Sequence, residues 1–218
     1  MAVMLVGALA VSGGVASAQK KPPKGPKTPA SADLTVAAKP NPVVFGKSTV
    51  ISGKLKNGGG QVVVLEENPH PYTGGFKPAR TATTASNGDY SFTVVPKLNT
   101  RYRVSTQAAP VTRSAELLVQ VQIRVSLRLS DSTPRTGSRV RFSGGAAPAH
   151  DGRTVEIQRL RRGGGYGTIA RTKLRDAGTT RSKYSRRIRI SRTGTFRVRI
   201  QGDGDHSTGF SSPRTARL

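Results

Sequence analysis

Imidazoles and carboxylates are the side chains that could carry chemistry here, and both are scarce. The 218 residues include three histidines, His70, His150 and His206, against 11 acidic residues. His206 has two carboxylates close before it in sequence, in the run Gly202-Asp203-Gly204-Asp205-His206. Two carboxylates and an imidazole are donors of a Ca²⁺ or Zn²⁺ site, but Ca²⁺ takes six to eight oxygens and the run supplies too few ligands by itself. Asp203, Asp205 and His206 therefore read as a polar turn after a strand, and no metal is assigned. Glu66 and Glu67 are consecutive on an expected strand, so they point to opposite faces and cannot act as a carboxylate pair. The chain has no cysteine, which removes thiolate nucleophiles, thiolate metal sites and disulfides. Gly163-Gly164-Gly165 is followed by neither Lys-Ser nor a helix, so it is a turn rather than a phosphate loop. With no H-E-x-x-H and no G-x-S-x-G either, no catalytic residue and no cofactor is expected, and the chain reads as a non-enzyme.

Arginine is the other chemical signal. The formal net charge is +25. It is unevenly spread: 33–121 carries ten basic and five acidic residues, and 122–218 carries 22 basic and six acidic. Twenty of those 22 are Arg, whose forked guanidinium suits phosphate or carboxylate. The arginines alternate with apolar residues in Arg139-Val140-Arg141-Phe142, Arg187-Ile188-Arg189-Ile190 and Phe196-Arg197-Val198-Arg199-Ile200. On strands, the apolar residues turn inward and the arginines outward. If the first, second and fifth strands of this half share a sheet, Arg124, Arg128, Arg139, Arg141, Arg187 and Arg189 lie on one outer face. Such a face suits an anionic polymer: teichoic acid or another cell-wall polymer, acidic polysaccharide, membrane headgroups or extracellular nucleic acid. Base-stacking aromatics are not interleaved, which counts against sequence-specific nucleic-acid recognition. The competing reading is a solubilising surface in an Arg-rich composition, on a spacer or a module that meets a protein partner.

The elements that must position these residues come from a repeat. Gly46 to Gly53, GKSTVISG, returns 91 positions later as Gly137 to Gly144, GSRVRFSG. The same offset lays Leu34, Val36 and Ala38 on Val125, Leu127 and Leu129. Later in the copies, Tyr102-Arg103-Val104 matches Phe196-Arg197-Val198 and Gln107 matches Gln201, so the second copy has gained three residues in its middle loops. The first copy reads as a strand broken by Pro40 and Pro42, which mark an edge or a strand switch. Strands then follow at Thr49–Ile51, Gln61–Glu66, Lys77–Thr84, Tyr90–Val94, Arg101–Gln107 and Ala115–Val121. The loop Glu67–Gly75 is read as ending the third strand. The second copy repeats this order from Val125 to Thr215. Hydrophobic residues make up 34% and aromatics 5% of the chain, fitting half-buried strands.

Residues Ala2 to Val11 are apolar, and Ala16-Ser17-Ala18 offers a small-residue cleavage site, so 1–18 reads as a signal peptide, although its start lacks Lys and Arg. Residues 19–32, QKKPPKGPKTPASA, form a Lys/Pro-rich linker. The organisation expected is 1–18 signal peptide, 19–32 linker, 33–121 domain 1 and 122–218 domain 2, with no spacer between AELLVQV and QIRVSLRL.

The strand-rich modules resemble tandem bacterial immunoglobulin-like repeats of secreted or cell-surface proteins. The resemblance covers 33–218 and rests on LTVAAKPNPVVFGKSTVISG, on the G-x-Y-S-F pattern at Gly88 to Phe92, on the paired Y/F-R-V strands, and on GDGDH at 202–206. It implies an all-β fold of two tandem immunoglobulin-like or fibronectin-like sandwiches. It also implies a secreted or cell-envelope location and a role as spacer, adhesive module or appendage, with no catalytic residues to carry over. The chain departs from antibody domains in lacking both the Cys pair and the core Trp.

Overall fold

Side chains of period two need a second apolar layer to bury one face, and each half of this chain meets the need by packing two antiparallel sheets together. The computed structural model describes residues 33–218; the expected signal peptide and linker lie outside the described residues. The first half contains β1 (Ala37–Lys39), β2 (Val43–Val44), β3 (Thr49–Lys54), β4 (Val62–Pro69), β5 (Lys77–Thr83), β6 (Asp89–Val94), β7 (Thr100–Thr106), β8 (Leu117–Val119) and β9 (Val121–Gln122). One sheet has the order β1-β3-β6 and the other β5-β4-β7-β8. Pro40 and Pro42 fall where the chain leaves β3's partner, β1, for the opposite side, where β2 pairs in parallel with β9. A proline cannot donate to a ladder, so the crossing is placed where no ladder is needed.

The second half contains β10 (Arg124–Val125), β11 (Arg128–Leu129), β12 (Arg139–Ala147), β13 (Thr154–Leu160), β14 (Tyr166–Lys173), β15 (Arg175–Asp176), β16 (Ser182–Arg189), β17 (Gly194–Ile200), β18 (Gly209–Phe210) and β19 (Arg214–Ala216). Its sheets are β10-β12-β16-β15, with β11 also on β12, and β14-β13-β17-β18, with β19 also on β17. No helix occurs among the described residues, and the fold is an all-β pair of sandwiches. Each encloses its own core. Ile51, Val63, Leu65, Phe92, Tyr102 and Val104 fill the first, and Phe142, Ile157, Phe196, Val198 and Ile200 the second. Phe142 and Phe196 meet edge to face with centroids 5.1 Å apart, a favoured aromatic geometry.

The glycine that closes both GKSTVISG and GSRVRFSG has a steric cause. Tyr184 donates its hydroxyl proton to the Ser126 carbonyl at 2.6 Å, and Tyr90 does the same to Thr35. The glycines lie beneath these contacts. A Cβ on Gly144 would overlap the Ser126 carbonyl oxygen, and one on Gly53 would overlap that of Thr35. Two elements differ from the sequence reading. β4 does not stop at Glu66 but continues to Pro69, because Glu67, Asn68 and Pro69 find partners in Tyr102, Arg101 and Thr100 of β7. The last strand of the first half is split into β8 and β9, because Val121–Gln122 leaves β7 to pair with β2.

Candidate functional site

The outer face of the β10/β11-β12-β16-β15 sheet carries the six arginines that the alternation singled out. Arg139 lies directly opposite Arg189, and Arg141 opposite Arg187. Arg128 pairs with Ser143 on the same strand β12, and Arg124 with Ala147 near its end. All six are exposed. The register adds Lys183, facing Arg175 across β15 and β16, two basic residues that alternation in sequence alone did not bring to this face. Among the described residues, none of the six arginines has a carboxylate within ion-pair distance. Like charges directly opposite on neighbouring strands oppose folding slightly, so this face holds a repulsion that an external anion would relieve.

The other sheet of the same half uses its arginines differently. Arg199 meets Glu156 at 2.9 Å and Arg171 meets the same carboxylate at 3.5 Å. Arg197 donates to the Gln158 amide oxygen at 2.9 Å and lies over the rings of Tyr166 and Phe210 at 3.9 and 4.5 Å. These guanidiniums are consumed within the fold. Arg159, Arg161, Arg162 and Arg192 border an open groove at one end of this sheet, and its lining includes neither carboxylate nor imidazole. A groove of that composition has no acid and base to pair.

A second cluster forms where the two sandwiches meet, and the sequence did not assemble it. His150, in the β12–β13 connection, joins Asp203, Asp205 and His206 of the β17–β18 connection, with one potential ligand atom from each lying within 4.8 Å of the others. His206 is 2% exposed and His150 9%. Their rings stand edge to face with centroids 5.1 Å apart. His206 Nε2 lies 2.9 Å from the Lys97 carbonyl, and His150 Nδ1 2.9 Å from that of Pro148. Arg153 donates to Asp203 and to the Gly202 carbonyl. Burial would raise the Asp205 pKa, but the polar surroundings supplied by Asp203, His206 and His150 outweigh it and leave the carboxyl below its ordinary value.

The first sandwich grips this loop from the opposite side. Asn99 donates its backbone N–H to Asp205 O at 2.8 Å and its side-chain amide to Gly204 O at 3.1 Å, while its own side-chain oxygen accepts from Val121 N at 2.7 Å. Phe45 packs edge-on against His206 at 5.8 Å. The His70 ring lies against Gly204: a Cβ there would come 2.7 Å from His70 Nε2. All three histidines thus converge on one junction. The polar-turn reading of 203–206 missed His150, yet one signal was present. The loops 148–152 and 202–208 are places where the second copy departs from the first, which has the turn Asn57–Gly60 and the segment Gln107–Thr112 there.

No protein-family model matches the chain, and no curated protein matches it in sequence. Among solved structures it is similar to a tetra-tandem repeat in the extending region of a large adhesion protein, with 20% identity and a TM-score of 0.36, over 84% of this chain and 48% of that one. It is also similar to bovine butyrophilin, with 13% identity and a TM-score of 0.37, over 83% of this chain and 99% of that one. The chain spans about half the length of the adhesion-protein structure.

Proposed function

We propose that this is a secreted, non-enzymatic tandem immunoglobulin-like protein of the bacterial repeat kind, which docks on an anionic polymer of the cell envelope through the outer face of the β10/β11-β12-β16-β15 sheet. One observation carries the reading: six arginines are exposed on one face without a carboxylate partner among the described residues, while Arg171, Arg197 and Arg199 of the opposite sheet are engaged within the fold. An Arg-rich composition alone predicts no such difference between two faces of one sandwich. A flat β surface matches a polymer with repeating phosphate or carboxylate groups, because exposed arginines can engage successive charges without a pocket.

Binding of this kind releases counterions, so it weakens steeply with salt. Retention of the chain on immobilised heparin or on teichoic-acid-bearing wall material should fall between low and physiological salt. Arg187→Gln together with Arg189→Gln should reduce the salt slope by about two. Absence of retention at low salt, or retention unchanged in that variant, would return the protein to the passive-spacer reading.

A further inference from the structure

We propose that His150, Asp203, Asp205 and His206 form a zinc-type divalent-metal site, and that the ion fixes the 202–207 loop against the first sandwich and so sets the relative position of the two modules. The proposal stands on the hydrogen-bonding roles of the two rings. A backbone carbonyl can only accept, so the ring nitrogens facing Pro148 and Lys97, His150 Nδ1 and His206 Nε2, must carry their protons. In the neutral rings, His150 Nε2 and His206 Nδ1 then present lone pairs. These lone pairs face carboxylates: His150 Nε2 is 3.7 Å from Asp203 Oδ2, and His206 Nδ1 is 3.0 Å from Asp205 Oδ1.

Lone pairs directed at carboxylate oxygens repel unless a cation lies between them. A proton does not serve well at His206, because Nδ1 and Asp205 Oδ1 are buried and close, yet neither has an aligned hydrogen-bond partner. Placing a proton on each ring would also put two imidazolium charges side by side, at ring centroids 5.1 Å apart, in a buried junction. One divalent ion satisfies both nitrogens and both carboxylates without charging either ring. Zinc ligands at about 2.0–2.1 Å in a tetrahedron are separated by roughly 3.3 Å, so the 3.0 Å edge is already near closure and the remaining atoms, within 4.8 Å of one another, need only small side-chain rotations. The carbonyls that hold the outer ring nitrogens are the orienting partners that metal-bound histidines ordinarily have. Two imidazoles with two carboxylates favour zinc over Ca²⁺, which prefers an all-oxygen shell.

Position gives the ion its consequence. All four ligands belong to the second sandwich, but the loop between Asp203 and His206 is also bonded by Asn99 and packed by Phe45 of the first. Locking the loop therefore locks the junction.

The test uses the full chain without an affinity tag, stripped with a chelator and titrated with Zn²⁺ alone, Co²⁺ alone and Ca²⁺ alone. Expected are one bound Zn²⁺ per chain at micromolar concentration or tighter, a visible Co²⁺ spectrum of tetrahedral type, and slower amide exchange at Asn99, Val121, Asp205 and His206 on Zn²⁺ addition. His150→Gln and Asp205→Asn should each weaken Zn²⁺ binding about tenfold or more and abolish the exchange effect. The native chain's Co²⁺ spectrum needs no variant, so it decides even if a substitution disturbs folding. The proposal is overturned if the folded native chain binds neither Zn²⁺ nor Co²⁺ saturably, if both variants bind as the native chain does, or if Ca²⁺ is bound in preference to Zn²⁺. None of these outcomes bears on polyanion binding, which uses a different face.

Discussion

Gly144 and Tyr184 show how one residue type can be forced by its neighbour. The Ser126 carbonyl takes the tyrosine proton from directly above the glycine, and the backbone cannot retreat without breaking β12 from β16. Gly144→Ala should destabilise the second sandwich by about 1–3 kcal/mol, the range for an overpacked site. Tyr184→Phe should cost about 1 kcal/mol for the lost hydrogen bond. Both are read from urea midpoints. The same tyrosines make the fold sensitive to alkali. Burial raises the pKa of Tyr90 and Tyr184 well above the ordinary value, and that of Tyr102 to about 12, with the nearby Glu67 charge adding to the rise. A phenol whose folded pKa exceeds its unfolded one contributes stability that is complete below pH ~10 and is lost as the pH climbs through the folded value. Stability should therefore fall between pH ~10 and ~12, with tyrosinate absorbance rising together with unfolding. Early tyrosinate formation in a protein that remains folded would contradict the burial argument.

At the level of elements, two sheets of one sandwich carry similar residues to opposite effect. Among the described residues, the arginines of β12 and β16 make no ion pair, whereas Glu156 on β13 joins Arg171 and Arg199 across three strands. Arg187→Gln with Arg189→Gln should leave the melting temperature unchanged or slightly raised, within about 0.5 kcal/mol, because a like-charge ladder is relieved. Glu156→Gln should lower stability by about 1 kcal/mol, since two guanidiniums lose a part-buried partner. A thermal scan in which the arginine pair proved the costlier change would refute the division of labour between the sheets. The alternation that placed Arg139, Arg141, Arg187 and Arg189 outward was readable in the chain because period two is a local property. Their cross-strand partners were not, since register is set by how β12 meets β16.

For the molecule as a whole, Asn99 is the side chain on which the contact between the sandwiches turns. It is 6% exposed and bonds Val121 on one side and Gly204 on the other. Asn99→Ala leaves those backbone groups without their partner and should cost about 1–3 kcal/mol of coupling between modules. In calorimetry, one transition should separate towards two. A single unshifted transition would mean that the other contacts at the junction, such as His206 with the Lys97 carbonyl and with Phe45, couple the modules without the Asn99 side chain.

The all-strand composition and the inward and outward sense of the arginines followed from residues a few positions apart, because period is a short-range pattern, and the duplication followed from comparing the chain with itself at an offset of 91. The extension of β4 to Pro69, the pairing of β2 with β9 and the meeting of His70, His150 and His206 depend on segments tens of residues apart being brought side by side. No local pattern encodes such proximity. It arises when apolar faces of two sandwiches bury themselves and the loops at their shared end are left to satisfy one another.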